Sequence, residues 1–183
     1  MARLPYLDAK DLAPENRDIL ARNINLHRAL VHSPNAARAM NGLGQFIRHK
    51  STLDARLREL AILQVGYLAR SPYEYSHHVK IGKEFGCSDD DIRAINVETA
   101  GQVSKLEPLA RTVLRAAREM TTGGAVTATT FNELKASLSP EHLTDLMVTT
   151  AFYNGVVRLL ASLAIDVEPD YQPYLDQFPL PKE

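Results

Sequence analysis

An all-α fold, a multi-helix bundle around a central antiparallel helix hairpin, follows from three features of this sequence. Apolar residues recur at helical spacing or run unbroken through long segments. No segment has the strict alternation that marks a half-buried strand. Ser-Pro, Asp and Gly stand where helices start and stop. The 183 residues suit one helical domain with an N-terminal arm and helix (1–32), a helical core (33–166) and an aromatic, proline-rich tail (167–183).

Along the chain, residues 1–9 read as an extended arm without the apolar run of a signal peptide. Pro14 opens a helix to about residue 23, with Ile19 and Leu20 inward, and residues 25–32 form a short turn or helix. Ser33-Pro34 places a cap before proline at the first helical position. The helix that follows, to about residue 49, turns Ala37, Met40, Leu43, Phe46 and Ile47 to one side. Gly42 and Gly44 within it predict close packing. His27, His32 and His49 are scattered singly and read as surface or capping residues. Asp54 caps the next helix, in which residues 60–69 are nearly all apolar; such a segment is buried all round but too short to span a bilayer.

A helix starting at Pro72 ends at Gly86. On it Tyr75, Val79, Ile81, Gly82 and Phe85 form an apolar arc that also contains Glu74 and His78. Ser76, Lys80, Lys83 and Glu84 face the other way, and Tyr73 and His77 lie nearer the polar side. Cys87 reads as a semi-buried thiol. Ser88 caps a helix over 89–97 whose first-turn Asp89, Asp90 and Asp91 complement the helix dipole. An amphipathic helix covers 106–120, Thr121–Gly124 is a terminating loop, and a short helix covers 129–138. From Ser139-Pro140 the longest helix runs to about residue 165. The tail, with four prolines, cannot be one helix; Tyr171, Tyr174 and Phe178 predict that it packs on its own domain or on a partner.

The short Arg70-Ser71 connection makes the two central helices a hairpin. In rough register Glu59 then approaches Glu74 and His78. A carboxylate and an imidazole one turn apart reach each other, and burying them requires such pairing. These residues resemble the carboxymuconolactone decarboxylase-like proteins, which also include the AhpD-type alkylhydroperoxidases. The family pattern, Arg-Glu-Leu-x-x-Leu followed by a helix with a terminal His, reads here as Arg58-Glu59-Leu60-Ala61-Ile62-Leu63 and then Tyr73-Glu74-Tyr75-Ser76-His77-His78. The peroxidase branch carries Cys-x-x-Cys-x-x-x-His in the second helix. Ser71 and Glu74 occupy those cysteine positions, and His78 the histidine. The likeness is specific over about residues 40–100 and continues loosely through Phe152–Leu160.

What the resemblance implies is an AhpD-like bundle and decarboxylase- or lyase-type acid/base chemistry on a small organic acid or lactone. His78 is the expected acid/base, Glu59 the group that orients or charges it, and Glu74 a second acid/base or polar anchor. Arg58 and Arg158 are candidates for a substrate carboxylate; Ser71, Tyr75, His77 and Asn154 complete the candidate substrate contacts. One alternative is peroxiredoxin-type antioxidant activity without the usual dithiol, which the single cysteine argues against. Another is a non-catalytic oligomeric binding protein. No cofactor is expected, and no metal, because adjacent His77 and His78 point about 100° apart. A net charge of −1 gives no case for nucleic acid or an anionic membrane surface. One cysteine fits a cytoplasmic location. The apolar 60–69 helix, the long last helix and the aromatic tail together predict a homo-oligomer.

Overall fold

The computed structural model describes residues 2–181, and all its regular structure is helical. At its centre α3 (Ala55–Leu68) and α4 (Pro72–Glu84) form the predicted hairpin. Asp54 caps α3 by accepting a hydrogen bond from the Leu57 amide at 2.9 Å. Every residue from Leu57 to Tyr67 is buried. The turn between the helices is tight because Arg70 adopts a left-handed φ of 46°. Gly66 then lets α4 come close: a Cβ there would stand 3.3 Å from the Tyr75 amide nitrogen and 3.4 Å from its Cα.

Around the hairpin lie α1 (Asn25–Leu30), α2 (Pro34–His49), α5 (Asp89–Thr99), α6 (Pro108–Gly123), α7 (Ala128–Ser137), α8 (Pro140–Leu163) and α9 (Gln172–Gln177). Helix α3 touches α4, α5, α6 and α8, so its own chain covers it on every side. That removes one reason for expecting a partner subunit. The helix expected from Pro14 is a 3-10 helix, Pro14–Ala21, whose Ile19 and Leu20 do turn inward, onto Val31 and Ala37. Helix α6 runs past the predicted Thr121 break and stops at Gly124, where φ is +85°. Helix α8 is by length and hydropathy alone able to cross a membrane, which the sequence reading did not recognise. Here it packs as a core helix against α3, α4, α6 and α7.

Three packing expectations are corrected. Leu43 and Phe46 of α2 are exposed. Gly42 and Gly44 face open space, where an added Cβ would meet nothing within 4 Å, rather than a close neighbour. On α4, Tyr73, Ser76 and His77 are buried although they lie off the apolar arc. The reason is the tail: a 3-10 turn at Pro169–Tyr171 and then α9 lie against α4. Tyr171 stacks on His77 at 3.5 Å between ring centroids, and Phe178 joins the core. The aromatic tail thus covers its own subunit; its last two positions, 182 and 183, lie outside the described residues.

Gly66→Val should lower the unfolding free energy by about 1–3 kcal/mol, because the backbone of α4 cannot step aside cheaply. Gly42→Ala should raise it by up to about 1 kcal/mol, since Ala favours the helix and the space is empty. Urea denaturation of the two variants checks both signs.

Candidate active site

Helix α3 delivers Glu59 and helix α4 delivers Glu74 and His78 to one buried line of polar atoms. His78 Nδ1 lies 2.6 Å from Glu59 Oε2, and His78 Nε2 lies 3.0 Å from Glu74 Oε1. Glu59 is 1% exposed and His78 3%. Both ring nitrogens therefore meet a carboxylate, an arrangement that suits the doubly protonated imidazolium. Burial alone would push His78 down, but Glu59 and Glu74 outweigh it and hold the imidazole above its ordinary value. Burial would likewise push Glu59 up, and His78 and Arg58 outweigh it and hold the carboxyl below the usual range. Glu74 sits in the first turn of α4, where the helix dipole favours an anion.

Arg58 backs this line. Its Nε donates to Glu59 Oε1 at 3.0 Å, and its guanidinium lies 4.6 Å from the centre of the Phe85 ring. Its Nη1 donates to the carbonyls of Ile47 and Arg48. From the other side, the Tyr153 ring of α8 meets His78 edge-on at 4.9 Å. Tyr153 is buried, and that burial, with Glu74 and Glu59 nearby, pushes its phenol up.

A second carboxylate–imidazole pair stands alongside. His77 Nε2 lies 2.8 Å from Glu168 Oε2 of the tail. The Tyr73 hydroxyl donates to Glu168 Oε1 at 3.1 Å, and the Asn25 amide donates to the same oxygen at 2.7 Å. Here burial, joined by the charge of His78, wins over Glu168 and the more distant Glu74, and His77 lies below its ordinary value.

The line ends at a cavity of about 450 Å³ between the 3-10 helix Pro14–Ala21, α1, α2, α4 and α8. Glu74, His77 and His78 line it, while Glu59 sits behind them. The remaining sequence candidates lie elsewhere. Arg58 is committed to Glu59. Ser71 is at the hairpin turn, its hydroxyl making no capping bond. Tyr75 faces Tyr67 on the far side of α4, at 5.8 Å between rings. Asn154 Nδ2 donates to Thr121 Oγ1 at 3.1 Å and to the Thr150 carbonyl. Arg158 is exposed and bonds to Asn154. Substrate contact does not fit those five placements, because each is turned from the cavity by its own packing or bonding.

Several cavity residues escaped the sequence reading: His27, Asn41, Gln45, Arg48, Tyr73 and Tyr153. The sequence presents His27 as a surface or capping residue, yet its Nδ1 is buried without a hydrogen-bond partner. One signal was available: Asn41, Gln45 and Arg48 recur at helical spacing on α2, a polar stripe beside the apolar one. Among the described residues no set of three or more His, Cys, Asp or Glu side chains is placed to hold a metal ion.

Residues 34–119, which contain the hairpin and all of this line, match the model of the Carboxymuconolactone decarboxylase family. No protein of curated function matches the sequence. Among solved structures, the chain is similar to an alkylhydroperoxidase AhpD core, an uncharacterized peroxidase-related protein from Ralstonia eutropha, with a TM-score of 0.81, 17% identity and 95% of each chain covered. It is similar also to the debrominase Bmp8 in complex with 2,3,4-tribromopyrrole, with a TM-score of 0.81, 18% identity and coverage of 97% of this chain and 100% of that one. A peroxidase-related protein from Silicibacter gives a TM-score of 0.75 at 17% identity, with 92% of each chain covered. At such identities these likenesses concern the fold.

In a histidine-ring NMR titration His78 should lose its proton above about 6.5 and His77 below it. The Glu59 share of stability is lost as pH falls through that group's depressed folded value, and the His78 share as pH rises through its raised one. Both are present in full between about 4.5 and about 6.5. Glu59→Gln should therefore bring the His78 value down and cost about 3–5 kcal/mol of stability, most in that window.

Proposed function

We propose that this chain, whose residues 34–119 match the Carboxymuconolactone decarboxylase family, performs decarboxylase- or lyase-type acid/base chemistry on a small organic acid or lactone. Glu74 and His78 are the proton-transferring pair, and Glu59 positions and charges His78. The observation that carries this reading is His78 held between two carboxylates at the wall of a 450 Å³ cavity. An open cavity is what a catalyst needs; a site plugged by side chains would have favoured a purely binding role.

In a decarboxylation of this class the C–C bond to the departing carboxyl group breaks and carbon dioxide leaves. The electron pair passes into the conjugated system as an enolate. The enolate carbon then takes a proton from the His78–Glu74 pair, and solvent returns one to it. Arg58 keeps Glu59 ionised throughout, so the imidazolium is restored rather than left neutral. Because both His78 nitrogens are occupied, Glu74 is the group that exchanges the proton at the cavity, a more direct role than an anchor.

Hydroperoxide reduction by a dithiol is disfavoured. Ser71 and Glu74 stand where that chemistry needs sulfur. Cys87 is buried, its Sγ faces the Arg56 carbonyl at 3.7 Å, and burial pushes the thiol up to about 12. A thiol so rarely ionised at neutral pH is a poor nucleophile.

With carboxymuconolactone as the probe, release of carbon dioxide is the expected activity. His78→Gln and Glu74→Gln should each lower it by a factor of about 10²–10⁴, and Cys87→Ser should leave it unchanged. Turnover of cumene hydroperoxide with dithiothreitol, lost in Cys87→Ser, would overturn the reading.

A further inference from the structure

Neither arginine that the sequence offered for a substrate carboxylate faces the cavity, yet the cavity has its own cationic wall. Arg48, in the last turn of α2, and Arg22 both line it. The Arg48 guanidinium lies beside the Tyr153 hydroxyl, one ring away from His78. His27 lines the same cavity; burial first, and then Arg22 and Arg48, hold its imidazole below the ordinary value. Its buried Nδ1 has no partner.

The acidic groups of the cavity are already engaged. Asp18 is held by Arg38 at 2.6 and 2.7 Å, and Glu74 by His78. The catalytic line is formally neutral within itself, with Glu59 and Glu74 against His78 and Arg58. Among the described residues neither Arg22 nor Arg48 forms an ion pair. Two guanidiniums without a carboxylate partner that line one cleft attract an anion. Gly42 and Gly44 also line the cavity, and the space beside them is open.

We propose that this wall is an anion subsite, and that the cavity takes a small organic acid whose carboxylate is held by Arg48, with Arg22 and His27 beside it. The apolar body of the acid rests on Phe152 and Val156, and its reacting carbon faces Glu74. The orientation of the reacting carbon rests on the acid/base reading above; the binding of the anion does not. The held carboxylate is an anchor and not the group that departs. A carboxylate leaving as carbon dioxide loses its charge in the transition state, so a guanidinium on it would favour the ground state instead.

Calorimetric titration with benzoate and with its neutral isostere benzamide tests the subsite. Benzoate should bind, and benzamide at least about tenfold more weakly, the share expected of one charge-assisted hydrogen-bonded pair. Arg48→Gln should lose benzoate at least about tenfold, and Arg48→Lys should recover part of it because the charge returns without the fork. Glu74→Gln should still bind benzoate. Should Arg48→Gln fail to fold, Arg22→Gln at the rim of the cavity must weaken benzoate, and the wild-type contrast decides with it. Equal binding of the two probes, no benzoate binding, or a folded Arg48→Gln that binds as wild type overturns the proposal. Loss of the acid/base reading leaves a different trace: Glu74→Gln would keep its carbon dioxide release while benzoate binding still depended on Arg48.

Discussion

The contact between Glu59 and His78 is the one on which the rest of the structure depends. Two groups that are almost wholly shielded from water lose a large solvation energy, and only close, well-directed partners offset it. Both His78 nitrogens and at least one oxygen of each carboxylate are used. Such short distances require the axes of α3 and α4 to be near. That in turn requires Gly66 against the Tyr75 backbone, a turn at Arg70 with positive φ, and α5, α6 and α8 packed around the outside. The hydrophobic shell thus serves the polar line, by keeping it dry and by fixing its register.

The neighbouring His77–Glu168 pair shows how fine this balance is. The chemistry is the same, and the separation is 2.8 Å against 2.6 Å. Yet the two imidazoles move in opposite directions. His78 faces two carboxylates in opposed positions, whereas His77 faces one, which it shares with Tyr73 and Asn25. His78 is raised by two hydrogen-bonded carboxylates, whereas His77 has one such partner and is opposed by the charge of His78. Stacking of His77 between Tyr73 and Tyr171 adds apolar surroundings without adding charge.

The hairpin and its three polar residues were legible because they rest on short-range rules. A helix repeat put Glu74 and His78 on one arc, and a short connection put Glu59 opposite them. The cavity was not legible for the opposite reason. Its walls come from five separate segments, and nothing in the local pattern of residues 18–30 says that they cover α2 and α4. His27 looked like an isolated surface histidine because its surroundings, Arg22 and Arg48, are set by tertiary packing. The same limit explains His77: its burial depends on Tyr171, ninety-odd positions away in sequence. Arg58 looked available because a sequence cannot tell that its guanidinium is already spent on Glu59 and on two carbonyls of α2.

The cavity and the proton line also differ in where they come from along the chain. Glu59, Glu74 and His78 lie within residues 34–119, whereas Arg22, Leu26 and His27 precede that span and Phe152, Tyr153 and Val156 follow it. The carboxylate–imidazole line belongs to the hairpin, and much of the cavity wall is supplied by flanking segments. The polar line and the flanking part of the cavity lining are consequently separable variables in this architecture. Exchanging the first thirty residues for another arm would re-line the container and change its charge, while leaving the imidazole and its two carboxylates where they are.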